Sequence, residues 1–305
     1  MTAKTLALLA CPDCGASFDG QGNPSDRLDC SSCGASFGVA NGVPNLLPGR
    51  DRDDRWREWD EKQALGLAEY EQDEEGEGEG FADVAAEFAS FARMRGTILD
   101  IGCGIGSAPT YVDPSGDAHY VGLDPLNGRA VHDFEFVQGV GEQLPVRDAV
   151  CDFVVSATSL DHVIEPERVL SEAKRVLKPT GLLALWVAVV DEEAILKRWW
   201  RPRFDPRAAL REGGARQLLG SFWYWAVTAP TKRLTTRVRF HLDPEGLIHD
   251  LYADRMRFHF HFYRQIEVED LLRRCGFAVR KQRVIVDTDR GNSLFVLASP
   301  TGEAG

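Results

Sequence analysis

Two cysteine pairs open the chain, Cys11-Pro-Asp-Cys14-Gly and Cys30-Ser-Ser-Cys33-Gly, with fifteen residues between them. Each C-x-x-C-G can fold as a knuckle that points two thiolates inward, its glycine allowing the tight turn. Four soft ligands in a tetrahedron suit zinc and leave no coordination position open. The expected ion is therefore a structural Zn2+ held by Cys11, Cys14, Cys30 and Cys33. A module of about 40 residues buries too little to fold unaided, and a zinc with an apparent binding free energy of about 10 to 16 kcal/mol would hold it. Cys103, Cys151 and Cys275 lack metal spacing and read as packing residues.

A second chemical feature is Leu99-Asp100-Ile101-Gly102-Cys103-Gly104-Ile105-Gly106, an apolar strand running into a glycine-rich turn. Ligands of open α/β sheets bind at the carboxyl ends of strands, where glycines let them approach the backbone. The spacing is G-x-G-x-G and position 107 is serine, which departs from the G-x-G-x-x-G of dinucleotide sites. Asp100 would oppose a pyrophosphate but could organise a loop around an ammonium group. Asp124 follows at the end of the next strand, in Val121-Gly122-Leu123-Asp124-Pro125. A carboxylate there can accept both hydroxyls of a ribose, each charge-assisted bond contributing about 1.5 to 3 kcal/mol.

Candidates for moving a proton come next. Thr158-Ser-Leu-Asp161-His162 follows a buried strand, and Asp161 and His162 are candidate bases or an acid orienting an imidazole. The alternative is that Asp161 caps the next helix and His162 is a surface residue. Residues 258–264 read Phe-His-Phe-His-Phe-Tyr-Arg, and period two puts His259 and His261 on one face. Those histidines could form a polar wall over an acceptor pocket, on a strand returning from an inserted lid. Two histidines without a nearby carboxylate make a poor metal site.

The elements that must position these groups follow from periodicity. Thr97 to Ile101, Tyr120 to Leu123, Phe134 to Val137, Cys151 to Ala157 and Leu182 to Val190 read as buried strands. Pro166 to Leu177 is an amphipathic helix closed by Lys178-Pro-Thr-Gly181, and Ile266 to Cys275 is a helix stopped by Gly276. Phe277 to Val286 and Ser293 to Ala298 read as a closing hairpin. Alternating strands and helices predict a doubly wound, mostly parallel sheet of the α/β class. Ahead of it, Asp51 to Tyr70 has helical spacing with Trp56 and Trp59, Glu69 to Gly80 is an acidic run read as a linker, and Phe81 to Met94 is helical. The expected division is 1–50 as the ribbon, 51–80 as helix and linker, 81–190 with 263–300 as the sheet domain, and 191–262 as the lid.

Length and composition agree with a globular chain of about two domains: 305 residues, 44% hydrophobic and 27% charged. No apolar run reaches the roughly 20 residues of a membrane span. The N-terminus is a poor match to a signal peptide, so the expected setting is cytoplasmic, with peripheral contact at the inner membrane face kept open. Net charge is -12, yet it is unevenly spread. Residues 1–190 hold 15 basic against 32 acidic side chains, while 197–239 hold 11 basic against 2 acidic, interleaved with Trp199, Trp200, Phe204, Phe222, Trp223, Tyr224 and Trp225. Such a lid fits an anionic small acceptor or a saccharide, a membrane carrying a lipid-linked acceptor, or, less well, RNA; a plain structural reading pairs its arginines with the acidic body.

The motifs together resemble the class I S-adenosylmethionine-dependent methyltransferases of the type 11 kind. Asp100-Ile-Gly-Cys-Gly-Ile-Gly106 looks like that family's first motif and Asp124 like its ribose-binding acid. Gly141-Glu-Gln-Leu-Pro145 looks like its adenine-side loop and Arg175-Val-Leu-Lys-Pro-Thr-Gly181 like the turn before its fifth strand. The resemblance implies a Rossmann-like seven-stranded sheet, S-adenosylmethionine as methyl donor, and Asp100, Gly102, Cys103, Gly104, Asp124, Pro125, Gly141, Glu142 and Thr158 around it. Val140 departs from the pattern, because members often carry an acid there for the adenine amine. A cysteine ribbon ahead of such a domain is also similar to bacterial ribosomal-RNA guanine methyltransferases. Residues 1–50, however, contain only Lys4, Arg27 and Arg50 as basic groups, where phosphate tracking needs many. The function expected is methyl transfer to O or N of a small molecule or saccharide, with an RNA base methyltransferase and a non-catalytic cofactor-binding scaffold that docks a partner protein as alternatives.

Overall fold

The computed structural model describes residues 1–18, 26–48, 57–65, 79–104, 109–112, 118–127, 132–197, 206–251, 259–287 and 291–302. Seven strands form one sheet in the order β6-β5-β4-β7-β8-β10-β9: β4 (Thr97–Ile101), β5 (His119–Asp124), β6 (Glu135–Gln138), β7 (Cys151–Ala157), β8 (Leu177–Val189), β9 (Phe277–Asp287) and β10 (Gly291–Pro300). The first five strands run parallel, and β10 is antiparallel to both β8 and β9. This is the doubly wound, mostly parallel sheet that the alternation of buried strands and helices predicts. The chain leaves β4 towards β5 on one side and returns through β7 on the other, so the switch point for a ligand lies at the carboxyl ends of β4 and β7.

Alternation along the strands divides the core. Leu99, Ile101, Val154, Leu183 and Leu185 face α4 (Pro166–Val176) and α9 (Gln265–Arg274). Ile98, Phe153, Val155, Trp186 and Phe295 face α3 (Glu79–Ala92) instead. Phe88 of α3 anchors that second layer, its ring 5.0 Å from Phe295 and 5.7 Å from Trp186, and is fully buried. Among the described residues no helix lies between β4 and β5 or between β5 and β6. The face that such helices would cover is served by α3, delivered from ahead of the sheet.

Helix α4 passes into β8 without the turn expected at 178–181. Leu177 is already extended, Lys178 binds the carboxylate of Asp152 at 2.8 Å, and a Cβ on Gly181 would lie 3.0 Å from the carbonyl of Cys151. Leu177 pairs with Cys151 and the ladder resumes at Leu182 with Phe153, so residues 178–181 stand out from β7 as a bulge within the extended strand.

The ribbon carries β1 (Arg27–Asp29), β2 (Ser36–Ala40) and β3 (Val43–Pro44) as a small antiparallel sheet behind α1 (Ala3–Leu6). It is joined to the large sheet by the backbone. Leu46 N–H donates to Gln138 O at 2.8 Å, Ala10 N–H to Pro145 O at 2.9 Å and Arg147 N–H to Leu8 O at 2.9 Å. Leu9, Phe18, Leu28 and Leu46 belong to the same apolar cluster as Val121, Leu123 and Leu144. Within the stretch expected as helix and linker, 57–65 is helical (α2) and Glu79–Gly80 already belong to α3. Trp56 and the rest of the acidic run lie outside the described residues.

The inserted lid is helical, built from α5 (Glu192–Lys197), α6 (Pro206–Trp223), a π turn (Tyr224–Thr228), α7 (Ala229–Leu242) and α8 (Pro244–Leu251). Ile195, Leu247 and Ile248 form its small core, with Phe240 and Phe262 packed against them. Arg237 pairs with Glu192 at 2.8 Å and Arg239 with Asp250 at 2.7 Å, so these arginines are matched within the lid rather than to the acidic body. Phe222, Trp223 and Trp225 are exposed, whereas Trp199, Trp200, Phe204 and Phe258 lie outside the described residues. The return strand expected over 258–264 is absent from 259–262; Tyr263 alone bridges Val189, in parallel sense. Residues 260 and 261 instead give their N–H groups to Asp161 O, which takes the segment out of a strand ladder.

Candidate active site

The four ribbon sulfurs converge. Cys11 Sγ lies 3.7 Å from Cys33 Sγ and Cys14 Sγ lies 3.5 Å from Cys30 Sγ, all four being within 4.8 Å of one another. A tetrahedron with zinc–sulfur bonds of about 2.3 Å has edges of about 3.8 Å, so the donor set fits the ion. The knuckles form as expected, with Gly15 N–H donating to Cys11 O and Gly34 N–H to Cys30 O, and both glycines in the left-handed region.

At the switch point the loop after β4 is tied to the end of β5. Gly102 N–H donates to Leu123 O at 2.7 Å, and Gly104 N–H to Asp124 Oδ2 at 3.0 Å. Asp124 Oδ1 accepts from Leu126 N–H at 2.8 Å, and Gln138 holds Pro125 through its carbonyl at 2.9 Å. Each carboxylate oxygen can accept two hydrogen bonds, which leaves one position per oxygen for a donor such as a ribose hydroxyl. Burial pushes the Asp124 carboxyl up to about 6. A hydroxyl donor needs the carboxylate. Cofactor affinity is therefore expected to be level above about pH 6 and to fall about tenfold for each unit below it, checked by titrations across pH. The unliganded fold has the opposite linkage: the stability it gains from the neutral acid is present at low pH and is lost as pH rises through about 6.

The two loop glycines differ in what surrounds them. A Cβ on Gly102 would lie 2.4 Å from Ser159 Cβ, whereas one on Gly104 would meet nothing within 4 Å among the described residues; φ is +74° and +79° respectively. Gly104→Ala is thus expected to cost about 1 to 2 kcal/mol of strain and to project a methyl into the open cradle, weakening the cofactor. Gly102→Ala adds a clash with Ser159 Cβ, an atom no rotamer change can move, and should lower the melting temperature much further, which paired thermal melts and titrations would separate. Ser159, not anticipated from the sequence, explains that tight contact: its hydroxyl donates to Ile101 O at 2.6 Å and pairs with Ser156 Oγ at 2.8 Å. Thr158 beside it has φ of +54° and donates its N–H to Trp186 O.

Asp100 lies beneath the loop. Its Oδ2 accepts from Tyr111 at 2.6 Å and Tyr120 at 2.8 Å, partners that sequence spacing did not suggest, while Oδ1 is buried with no hydrogen-bond partner. Burial raises this carboxyl to about 6. Cys103 packs over Gly122, where a Cβ would come 2.6 Å from its sulfur, and desolvation holds its thiol well above the ordinary value. On the far side, Gly141 sits against Ile101 and Val169, and Glu142 is buried and accepts from Ile164 N–H at 2.9 Å. Val140 beside it is buried as well.

Beyond β7, Asp161 is buried and its Oδ2 stands 3.2 Å from His259 Nε2, with Oδ1 3.9 Å from His162 Nε2. The two imidazoles lie 4.3 Å apart. His261 is turned elsewhere, its Nε2 3.4 Å from Ile164 O, so the common histidine face expected for His259 and His261 is not what the fold builds. Helix α2 closes over the cluster: Trp59 donates to His162 O at 3.1 Å and Lys62 sits 4.1 Å over the Phe260 ring.

Comparison with known proteins agrees with this geometry. Residues 99–185 match the methyltransferase domain family. Over 121 residues the chain is 30% identical to a thiol S-methyltransferase of Rattus norvegicus, covering 36% of this chain and 50% of that protein. Over 149 residues it is 32% identical to the ubiquinone biosynthesis O-methyltransferase of Maricaulis maris, covering 38% and 58%. The chain thus spans about half the length of the curated relatives it matches. Its fold is shared with a 1,6-didemethyltoxoflavin-N1-methyltransferase of Burkholderia thailandensis, solved with S-adenosylhomocysteine, at a TM-score of 0.51 and 11% identity over 91% of this chain and 100% of that one. The glycine loop, Asp124 and the carboxyl ends of β4, β5 and β7 all lie within the segment that matches the methyltransferase domain family.

Proposed function

We propose that the chain transfers a methyl group from S-adenosylmethionine to a nucleophilic oxygen, nitrogen or sulfur of a small-molecule or saccharide acceptor. The observation that carries this reading is Asp124, a buried acid at the end of β5 with acceptor capacity left on both oxygens, facing the open cradle at Gly104. S-adenosylmethionine supplies the sulfonium methyl, and the protein's part is to align donor and acceptor and to take up or release a proton. Asp124 would hold the ribose, the backbone around Gly102 and Gly104 the methionine portion, and the loop at Gly141 and Glu142 the adenine. Asp161 with His162 and His259 would face the acceptor from the end of β7. Two named relatives act on a thiol and on an oxygen, which supports a small polar nucleophile as acceptor.

An RNA acceptor draws less support. Arg27 of the ribbon is already paired with Asp29 at 2.9 Å, and the lid's Arg237 and Arg239 are paired within the lid. Incubating the chain with S-adenosylmethionine and a panel of small thiols, phenols, amines and sugars, with S-adenosylhomocysteine release read by mass spectrometry, tests the proposal. Acceptor-dependent release supports it. Absence of release across the panel, together with no binding of the donor at millimolar concentration, would overturn it.

A further inference from the structure

We propose that Asp161, His162 and His259 form a second metal site, which takes a divalent transition ion and uses it to hold and ionise a hydroxyl or thiol of the acceptor. The role of the ion rests on the methyl-transfer reading; the site itself rests on geometry. Sequence spacing set Asp161 beside His162 and, separately, His259 with His261; the fold brings His259, without His261, to the Asp161–His162 pair. The three ligand atoms lie within 4.8 Å of one another, with 3.2 Å between Asp161 Oδ2 and His259 Nε2. An ion bonded tetrahedrally to nitrogen and oxygen at about 2.0 to 2.2 Å places neighbouring ligands about 3.4 Å apart, so Asp161 and His259 already stand near that spacing and His162 has to draw in.

Two observations indicate that the ligands are held in place by more than their mutual contact. Asp161 O accepts from both Phe260 N–H at 2.8 Å and His261 N–H at 3.2 Å, which clamps the segment carrying His259 to the segment carrying Asp161 whatever the side chains bind. On the other side, Trp59 Nε1–H holds the carbonyl of His162. The carboxylate is nearly enclosed, while the side chains of His162 and His259 retain 29% and 25% exposure, so solvent reaches the imidazole side of the trio. Three protein ligands with an open position is the arrangement of catalytic rather than structural ions, and a set of two imidazoles and one carboxylate selects zinc, cobalt, nickel or ferrous ion over magnesium and calcium. It differs from the ribbon, whose four thiolates close their ion off.

In the step so assisted, the acceptor's O–H or S–H bond breaks and the proton leaves to solvent. The lone pair on oxygen or sulfur then forms the new bond to the methyl carbon, as the donor's carbon–sulfur bond breaks and its electron pair stays on sulfur as a neutral thioether. The ion changes no oxidation state.

The test uses the full chain with its ribbon loaded with zinc, titrated with Co2+ and followed by calorimetry and visible absorption. One further Co2+ per chain is expected, with weak ligand-field bands and without the intense thiolate charge-transfer absorption that cobalt in the ribbon would give. Asp161→Asn, His259→Gln and His162→Ala should each weaken that binding by at least about tenfold, with circular dichroism and melting curves showing which variants remain folded. No second equivalent on the wild-type chain, only thiolate-type spectra, or unchanged affinity in the folded variants would overturn the site. Titration of the same protein with S-adenosylhomocysteine separates the two claims. Cofactor binding without Co2+ uptake removes the metal site alone, and Co2+ uptake without cofactor binding removes the methyl-transfer reading and with it the role given to the ion.

Discussion

Asp124→Ala should weaken S-adenosylhomocysteine binding by at least about a hundredfold, since two charge-assisted hydrogen bonds to a ribose contribute about 1.5 to 3 kcal/mol each. The substitution also strips the N–H groups of Gly104 and Leu126 of their acceptor, so part of the loss comes from a loosened loop. Asp124→Asn keeps the volume but turns an amide N–H towards one of those donors. It should retain more of the melting temperature than alanine does while still losing at least about tenfold in affinity. Titration calorimetry beside thermal melts checks both. Affinity unchanged in the alanine variant would remove Asp124 from the cofactor site.

Removing zinc is expected to have the largest effect on the fold. The ion's apparent binding free energy, on the order of 10 kcal/mol, is comparable to the whole stability of a typical domain. The consequences should reach the cofactor, because the ribbon supports residues 143–147, which follow the Gly141–Glu142 segment proposed to hold the adenine. Ala10 N–H donates to Pro145 O, Arg147 N–H to Leu8 O, and the Gln143 side chain to Pro12 O. From the sheet side, Arg175 donates to Leu144 O and Val146 O, and Leu144 N–H donates to Glu172. Chelation takes away the first set only. The melting temperature should fall, S-adenosylhomocysteine should bind several-fold more weakly, and both should return on adding Zn2+. A Cys11→Ser variant should behave as the chelated protein does. A chelated chain with an unaltered melt and unaltered cofactor affinity would show that the ribbon neither needs its ion nor supports the loop.

Local chemistry was legible where sequence neighbours make the feature. The cysteine knuckles require only two C-x-x-C-G turns, and β4 and β7 were bounded at their final residues because near-continuous buried runs stop visibly at Gly102 and Thr158. Asp124 was legible because a strand end fixes where its side chain must lie. What escaped notice depends on contacts between distant segments. Tyr111 and Tyr120 on Asp100, Ser159 under Gly102, and Trp59 on His162 are each set by the crossing of elements rather than by any spacing. The pairing of His259 with Asp161, and the separation of His259 from His261, follow from where residues 259–262 cross the end of β7. A period-two pattern carries no information about that crossing. Likewise the ribbon reads as a separate module, since its own core is small, yet the backbone bonds at Leu46, Ala10 and Arg147 join it to the sheet.

The central claim is that the loop after β4 and the acid ending β5 bind an adenosyl sulfur compound, and one titration tests it most directly. The zinc-loaded chain, titrated with S-adenosylhomocysteine near neutral pH, should bind one equivalent per chain with an affinity that falls at least about a hundredfold in Asp124→Ala. No heat of binding at millimolar ligand, or an affinity that Asp124→Ala leaves unchanged, would contradict it.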